Sequence, residues 1–169
     1  RGKCLMKDTN SYAAAALDFR VVLQSFPSYS GCDEAQYLLG MSHYERAKMN
    51  QSSYPEARTE LQRIEENYPG SSYVPGSLYY LGLSCRYMKE HAAAADYFKS
   101  LISRFPESSF CDNGYYYLIK SIFSLGSGTP NSGCSQAREY LVGMQALFPD
   151  TNQYLIDTEA EYLANGCQP

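Results

Sequence analysis

The amino-acid sequence predicts an all-α fold, an α-solenoid built from a series of similar helix pairs. An aromatic residue followed by proline occurs four times, at Phe26-Pro27, Tyr68-Pro69, Phe105-Pro106 and Phe148-Pro149. The prolines therefore lie 42, 37 and 43 residues apart. A period of this size is typical of repeat arrays, in which each unit buries its apolar face only against its neighbours.

The residues before each proline repeat as well. A small residue stands twelve positions before the proline, and bulky apolar residues stand eight and five positions before it. In chain order these are Ala15, Ala57, Ala94 and Ala137; Phe19, Leu61, Phe98 and Leu141; and Val22, Ile64, Leu101 and Met144. Spacings of four and three residues put them on one face of a helix. Proline then ends that helix, because it lacks an N–H and disfavours helical geometry in the preceding residue.

The residues after each proline predict a second helix. Serines three positions later, Ser30, Ser72 and Ser109, are suitable N-caps. Tyrosines follow at ten positions (Tyr37, Tyr79, Tyr116) and leucines at twelve (Leu39, Leu81, Leu118). Each unit is thus a helix A that begins just past a proline, a turn, and a helix B that runs to the next proline.

These boundaries divide a single domain, residues 1–169, into about four units. We expect a truncated first unit at 1–27, complete units at 28–69, 70–106 and 107–149, and a capping helix at 150–169. Asp157, Glu159 and Glu161 stand in the last segment where other units carry a small residue, tyrosine and leucine. A more polar final helix is what an array needs to cover its open end.

Composition and motifs exclude several functions. A net charge of −4 with interleaved signs argues against nucleic-acid binding, which needs a concentrated basic face. No segment approaches the roughly 20 apolar residues that span a bilayer. The six cysteines form no C-x-x-C pair and there are two histidines, so no metal site is predicted. No nucleophile motif or phosphate-binding glycine loop occurs, so we predict neither a catalytic residue nor a cofactor.

One disulfide is geometrically possible. Consecutive helices of an array run antiparallel, so Cys134 at the start of the last helix B would lie beside Cys167 at the end of the final helix. The bond requires an oxidising compartment, and free thiols are the alternative.

The third unit resembles the tetratricopeptide repeat (TPR) consensus in the spacing of Gly82, Ala94, Phe98 and Pro106. The junctions 68–73 (YPGSSY) and 105–110 (FPESSF) are similar to the YP-x-S-x-(Y/F) junctions of bacterial outer-membrane-associated TPR proteins, the BamD lipoproteins and CpoB. The resemblance implies a right-handed superhelix whose concave groove is lined by helices A.

In this geometry the groove would be an aromatic trough that binds an extended segment or a helix of a partner protein. The alternative is that its tyrosines only pack helix A against the next helix A. The residues placed there by the resemblance are Tyr37, Met41, Tyr44, Tyr79, Leu83, Arg86, Tyr87, Tyr116, Lys120 and Phe123.

The resemblance also implies a non-catalytic periplasmic adaptor at the outer membrane, of the BamD type that serves β-barrel protein assembly. A CpoB-like adaptor between the Tol system and cell-wall synthesis is one alternative. A scaffold subunit of another complex, in the cytoplasm, is the other. A lipid anchor, if there is one, would lie outside this chain.

Overall fold

The computed structural model describes residues 12–49, 53–126, 131–148 and 153–168, which contain eight α-helices and no β-strand. Pro149 and the start of the predicted first unit lie outside these residues. The helices are α1 (Tyr12–Ser25), α2 (Cys32–Met49), α3 (Tyr54–Asn67), α4 (Val74–Tyr87), α5 (His91–Arg104), α6 (Cys111–Leu125), α7 (Cys134–Leu147) and α8 (Gln153–Ala164).

The chain forms two compact units, which differ from the predicted repeat units. Unit 1 contains residues 1–88 with α1–α4, and unit 2 contains residues 89–169 with α5–α8. They divide at the turn between α4 and α5, which lies within the predicted repeat 70–106. Within each unit, neighbouring helices pack in series. The predicted all-α fold of the α-solenoid class is confirmed.

The predicted core positions before each proline are buried, except Val22, which is half-buried. All four alanines of the repeat, Ala15, Ala57, Ala94 and Ala137, are fully inaccessible to solvent. Small residues at these places let the helices approach closely. A similar approach occurs at Gly40 on α2, where an added Cβ would lie 2.6 Å from Leu61 Cγ on α3. The positions counted back from each proline therefore identify the packed face of the helix that precedes it.

The junctions share one hydrogen-bonded turn, and it corrects the predicted caps. At the second junction, Ser71 N–H donates to the Tyr68 carbonyl at 2.9 Å and Val74 N–H donates to the Ser71 carbonyl at 3.2 Å. Equivalent bonds occur after Phe26 and Phe105. Helix A therefore begins five residues after the proline, at Cys32, Val74 and Cys111.

The prediction that Ser72 and Ser109 cap these helices is wrong. The N-cap residues are Tyr73 and Phe110, which make no side-chain cap. The serines directly before Ser72 and Ser109, which are Ser71 and Ser108, accept hydrogen bonds within the turn instead. Tyr73 N–H donates to Ser71 Oγ at 3.1 Å, and Phe110 N–H donates to Ser108 Oγ at 3.2 Å. Ser71 Oγ also donates to Asp33 Oδ2 at 2.7 Å, which ties this junction to the start of α2.

A buried carboxylate connects three helices of unit 1. Glu60 on α3 is 8% exposed and accepts a hydrogen bond from Gln36 on α2 at 3.0 Å. Arg63 on the same helix contacts Glu60 at 2.6 Å, and Arg20 on α1 lies 3.9 Å away. Burying a charge is costly without such partners, and these contacts link Glu60 on α3 to side chains of α1 and α2.

In unit 2, Cys134 and Cys167 form a disulfide, with their Cα atoms 5.5 Å apart. The bond joins the first residue of α7 to the segment after α8, so these helices run antiparallel. Helix α8 buries Leu155, Thr158 and Tyr162. Its acidic residue Glu161 forms an ion pair with Lys120 on α6, 3.2 Å away.

Candidate protein-binding surface

Five tyrosines form a continuous set of ring contacts between α2 and α4, which we call the tyrosine ladder. They are spaced seven residues apart on each side: Tyr37 and Tyr44 on α2, and Tyr73, Tyr80 and Tyr87 at the start, middle and end of α4. Since residues early in α2 contact residues early in α4, the two helices run parallel.

Each α2 tyrosine contacts two α4 tyrosines. The Tyr37 ring stacks on Tyr73 with a centroid distance of 5.0 Å and lies 6.4 Å from Tyr80. The Tyr44 ring meets Tyr80 edge-on at 5.0 Å and lies 6.4 Å from Tyr87. Offset and edge-on pairs of this kind add about 0.5–1.5 kcal/mol each beyond the area that they bury. The ladder therefore holds helix A of one repeat against helix A of the next.

The end of the ladder is open to solvent. Tyr87 is 52% exposed, and its ring lies flat on Tyr54 of α3, with centroids 4.8 Å apart and an interplanar angle of 6°. Tyr54 is itself 2% exposed and touches Tyr44 edge-on at 5.8 Å. Tyr87 is thus a large ring held on a rigid base, the kind of residue that anchors protein interfaces.

The ladder residues Tyr37 and Tyr44, and the neighbouring Tyr54, are uncharged at physiological pH. Burial raises the pKa of Tyr37 and of Tyr44, and neighbouring tyrosines add to the shift. Burial also raises the pKa of Tyr54 to about 12. The phenols therefore stay protonated and offer hydroxyl groups that can donate and accept hydrogen bonds.

A smaller aromatic surface joins α6 and α8 in unit 2. Tyr116 lies 6.0 Å from Tyr154, and Phe123 lies 6.4 Å from Tyr162. Lys120 donates a hydrogen bond to the Tyr116 hydroxyl at 3.2 Å. Burial by itself would lower the pKa of Lys120, but its bonds to Tyr116 and Glu161 raise it overall, so the ammonium stays charged.

The residues predicted for the trough differ in accessibility. Tyr37, Met41, Tyr79, Arg86, Tyr116 and Lys120 are half-buried, Tyr87 is exposed, and Tyr44, Leu83 and Phe123 are buried. The structure groups Tyr37, Tyr44 and Tyr87 in unit 1, and Tyr116, Lys120 and Phe123 in unit 2. Three aromatic members of the unit 1 surface, Tyr54, Tyr73 and Tyr80, escaped the sequence analysis. The seven-residue spacing of Tyr73, Tyr80 and Tyr87 was the signal that could have found Tyr73 and Tyr80, whereas Tyr54 lies outside this spacing.

Cys32 and Cys111 are buried free thiols. Cys32 donates to the Phe26 carbonyl at 3.2 Å, and burial raises the pKa of Cys111 to about 11, so neither is a ready nucleophile. Among the described residues, no three His, Cys, Asp or Glu side chains are grouped so that they could hold a metal ion. Within the same residues, no helix has both the length and the apolar character to cross a membrane.

Comparison with known proteins shows similarity to one repeat family over part of the chain. The family model of the tetratricopeptide repeat matches residues 34–71 and 77–108, which contain most of α2 to α5. The match and the repeated helix pairs together support a TPR protein. A search among curated proteins found no significant match. TPR arrays present extended surfaces to protein partners, which indicates a protein–protein interaction scaffold.

Proposed function

We propose that this chain is a non-catalytic adaptor of the BamD type, which binds a segment of a partner protein on the tyrosine ladder during outer-membrane β-barrel assembly. The observation that carries the binding role is the half-exposed Tyr87, stacked on a buried Tyr54. Because Tyr54 already holds the Tyr87 ring in place, a partner that covers this ring gains buried area at little entropic cost.

The ladder is suited to a segment with apolar side chains and free backbone amides. Its rings supply flat apolar area, and the tyrosine hydroxyls supply neutral hydrogen-bonding groups. Glu45 and Lys48 near the end of α2 neutralise each other, with 2.9 Å between Lys48 Nζ and Glu45 Oε2. A strongly charged partner segment would therefore find no counter-charge in this pair, whereas the aromatic segments of β-barrel proteins match the surface.

The disulfide supports a periplasmic, outer-membrane-associated location as part of the same proposal. Disulfides persist in the periplasm and are rare in the cytoplasm. Cytoplasmic protein would carry Cys134 and Cys167 as thiols. Alkylation of protein extracted without reductant, followed by mass spectrometry, separates the two cases: thiols at both positions would contradict the periplasmic location.

A CpoB-like adaptor between the Tol system and cell-wall synthesis is the second candidate. The observation that favours it is the compact 37-residue spacing from Pro69 to Pro106, whereas the longer spacings of 42 and 43 residues favour the BamD type. The two candidates share the same binding surface and differ in the partner.

Photo-crosslinking tests the proposal. A benzophenone amino acid replaces Tyr87, and Tyr29, an equally exposed tyrosine at 60% in the first junction, is the matched control position. We expect position 87 alone to crosslink to the barrel-forming subunit or to an unfolded β-barrel substrate. Crosslinks from position 87 to Tol or cell-wall synthesis proteins would favour the CpoB-like role. Equal labelling from both positions would contradict a binding role for the ladder.

Alanine substitutions separate binding from packing. Tyr87→Ala should weaken binding of the crosslinked partner about tenfold and lower the free energy of unfolding by only about 1–2 kcal/mol, because its ring makes two aromatic contacts but is half exposed. Tyr54→Ala should lower the free energy of unfolding by about 3–4 kcal/mol, because it empties a buried site. A large stability loss for Tyr87→Ala with unchanged binding would show that the ladder only packs helices.

A further inference from the structure

The disulfide of unit 2 borders a cavity with a volume of about 260 Å³. Cys134, Arg138 and Cys167 all line this cavity. The two cysteines differ in accessibility, because Cys134 is partly exposed whereas Cys167 is only 5% exposed. A reagent in the cavity therefore meets the sulfur of Cys134 first. The site lies in a different unit from the tyrosine ladder and does not depend on the function proposed for it.

The surroundings of Cys134 favour a negative charge on its sulfur. Cys134 is the first residue of α7, where the helix dipole and the unbonded backbone N–H groups stabilise anions. The N-cap residue is Gly133, which offers these N–H groups no side-chain oxygen, and the first turn contains no acidic residue. Arg138 stands four residues after Cys134, on the same face of the helix. A thiolate at Cys134 is thus stabilised by the helix N-terminus and by a nearby guanidinium.

Cys167 is held in place by bonds that do not involve its sulfur. Its N–H donates to the Tyr162 carbonyl at 3.3 Å, and the Tyr162 hydroxyl donates to the Gln168 carbonyl at 3.1 Å. Tyr162 is itself buried in α8. These contacts remain after the disulfide is broken, so the Cys167 thiol stays near Cys134 and can form the bond again.

We propose that Cys134 and Cys167 form a reversible thiol–disulfide exchange site, which reacts with the dithiol of a thiol oxidoreductase. Cys134 is the residue that forms the mixed disulfide with the oxidoreductase, because its sulfur is accessible and its thiolate is stabilised. Cys167 is the resolving residue, because it is buried beside Cys134 and a partner protein cannot reach it directly. The pair thus makes the covalent link between α7 and the end of α8 responsive to a specific reductant.

The exchange proceeds in two steps. A thiolate of the dithiol attacks Cys134 Sγ, the bond between the two cysteines breaks, and Cys167 leaves as a thiolate that takes up a proton. The second thiol of the partner loses its proton and attacks the partner's own sulfur in the mixed disulfide, which releases Cys134 as a thiolate. Two electrons pass from the dithiol to the cysteine pair, and the dithiol becomes a disulfide. Reoxidation by a partner disulfide follows the same steps in reverse.

Trapping tests the proposed partner on the unmodified protein. The probe is a thioredoxin variant whose second active-site cysteine is serine, so that it can form the mixed disulfide but cannot complete the reduction. We expect a covalent complex on non-reducing gels, with the thioredoxin linked to Cys134 in peptide maps by mass spectrometry. Absence of a complex would overturn the proposal, and so would a complex through Cys167.

Two serine variants test the roles of the two cysteines. Cys167→Ser and Cys134→Ser lose the same disulfide, so each is the matched control for the other. After reduction and removal of the reductant, each is incubated with oxidised glutathione, and mass spectrometry follows the adduct at the remaining cysteine. Cys134 in Cys167→Ser should react about tenfold or more faster than Cys167 in Cys134→Ser. Equal rates would contradict the division of roles.

The reduced wild-type protein provides a test that needs no variant. With oxidised glutathione it should form the Cys134–Cys167 disulfide and release reduced glutathione, without an adduct that accumulates. A stable adduct at Cys134 would overturn the resolving role of Cys167.

Arg138 is a positioning residue in this proposal, and its test is a pH profile. Iodoacetamide, which is uncharged, alkylates Cys134 in the Cys167→Ser background over a series of pH values. Arg138→Gln should slow the reaction at pH 7 about threefold and move the profile to higher pH, whereas Arg138→Lys should restore it. A structural role would not move the profile, so an unchanged profile in Arg138→Gln would disprove the contribution of Arg138.

Discussion

Gln36 on α2 donates two hydrogen bonds to a single residue of α3, Glu60: one to its backbone carbonyl at 2.8 Å and one to its carboxylate at 3.0 Å. The carboxylate also lies beside Arg20 and Arg63. One buried acidic side chain thus fixes how α3 lies against its neighbours.

Glu60→Ala should lower the free energy of unfolding by about 1–3 kcal/mol, because it removes the buried carboxylate that accepts one of the two Gln36 hydrogen bonds and pairs with Arg20 and Arg63. Urea denaturation measures the change. Glu66→Ala, at an exposed position of the same helix, should change stability by less than about 0.5 kcal/mol. Equal effects of the two substitutions would show that the buried network is not specific.

Gly40→Ala should destabilise the protein by about 1–3 kcal/mol, although alanine favours helices more than glycine does. The new methyl group would lie 2.6 Å from Leu61 Cγ and 3.3 Å from the Leu61 backbone nitrogen. Thermal denaturation of Gly40→Ala is compared with that of Gly143→Ala, where the nearest atom is the Tyr115 hydroxyl at 3.3 Å. A hydroxyl at the end of a side chain moves more easily than a backbone, so a larger loss at Gly143 would contradict the close approach of α2 and α3.

Reduction of the disulfide should destabilise unit 2. The bond closes a loop of 33 residues, for which the loss of chain entropy in the unfolded state corresponds to about 3–4 kcal/mol. Urea denaturation with and without a phosphine reductant tests this. The double variant Cys134→Ser/Cys167→Ser should unfold like the reduced protein and should not respond to the reductant. A response of the double variant would assign the effect to other cysteines.

Stability should fall as the pH drops below 6.5 because of His43. This residue is 6% exposed, and burial, together with the nearby Arg46, lowers its pKa below 6.5. The unfolded chain therefore binds the proton first, so the contribution of neutral His43 is complete above pH 6.5 and is lost as the pH falls further. His43→Gln should flatten the dependence of melting temperature on pH, whereas His91→Gln should keep it. A wild-type slope in His43→Gln would disprove this assignment.

The sequence predicted the fold well because packing at a helix face depends on spacing. The alanine twelve residues before each proline was expected at a close contact and is fully buried in all four repeats. The capping serines could not be predicted in the same way. Ser71 and Ser72 are equally good caps by residue type, and the hydrogen bond from Tyr73 N–H to Ser71 Oγ depends on the geometry of the turn.

The candidate site was only partly predictable for a related reason. Position in a repeat gives the direction of Tyr44 and Phe123 but does not say which ring will cover them. Tyr44 is buried by Tyr54, Tyr80 and Tyr87, and Phe123 lies against Tyr162. Accessibility is thus a property of neighbouring repeats together, while the sequence pattern describes each repeat by itself.

The two closest contacts between α2 and α4 in the ladder, Tyr37 with Tyr73 and Tyr44 with Tyr80, each join residues 36 positions apart. Both contacts keep one offset along the two parallel helices, and the faces of the helices set it, since the connections between helices vary and the prolines stand 42, 37 and 43 residues apart. An insertion in the connection between α2 and α4 would therefore keep the ladder, whereas an insertion inside α4 ahead of Tyr80 would rotate Tyr80 and Tyr87 away from Tyr44. Gain or loss of whole repeats thus changes the length of the binding surface without redesigning it.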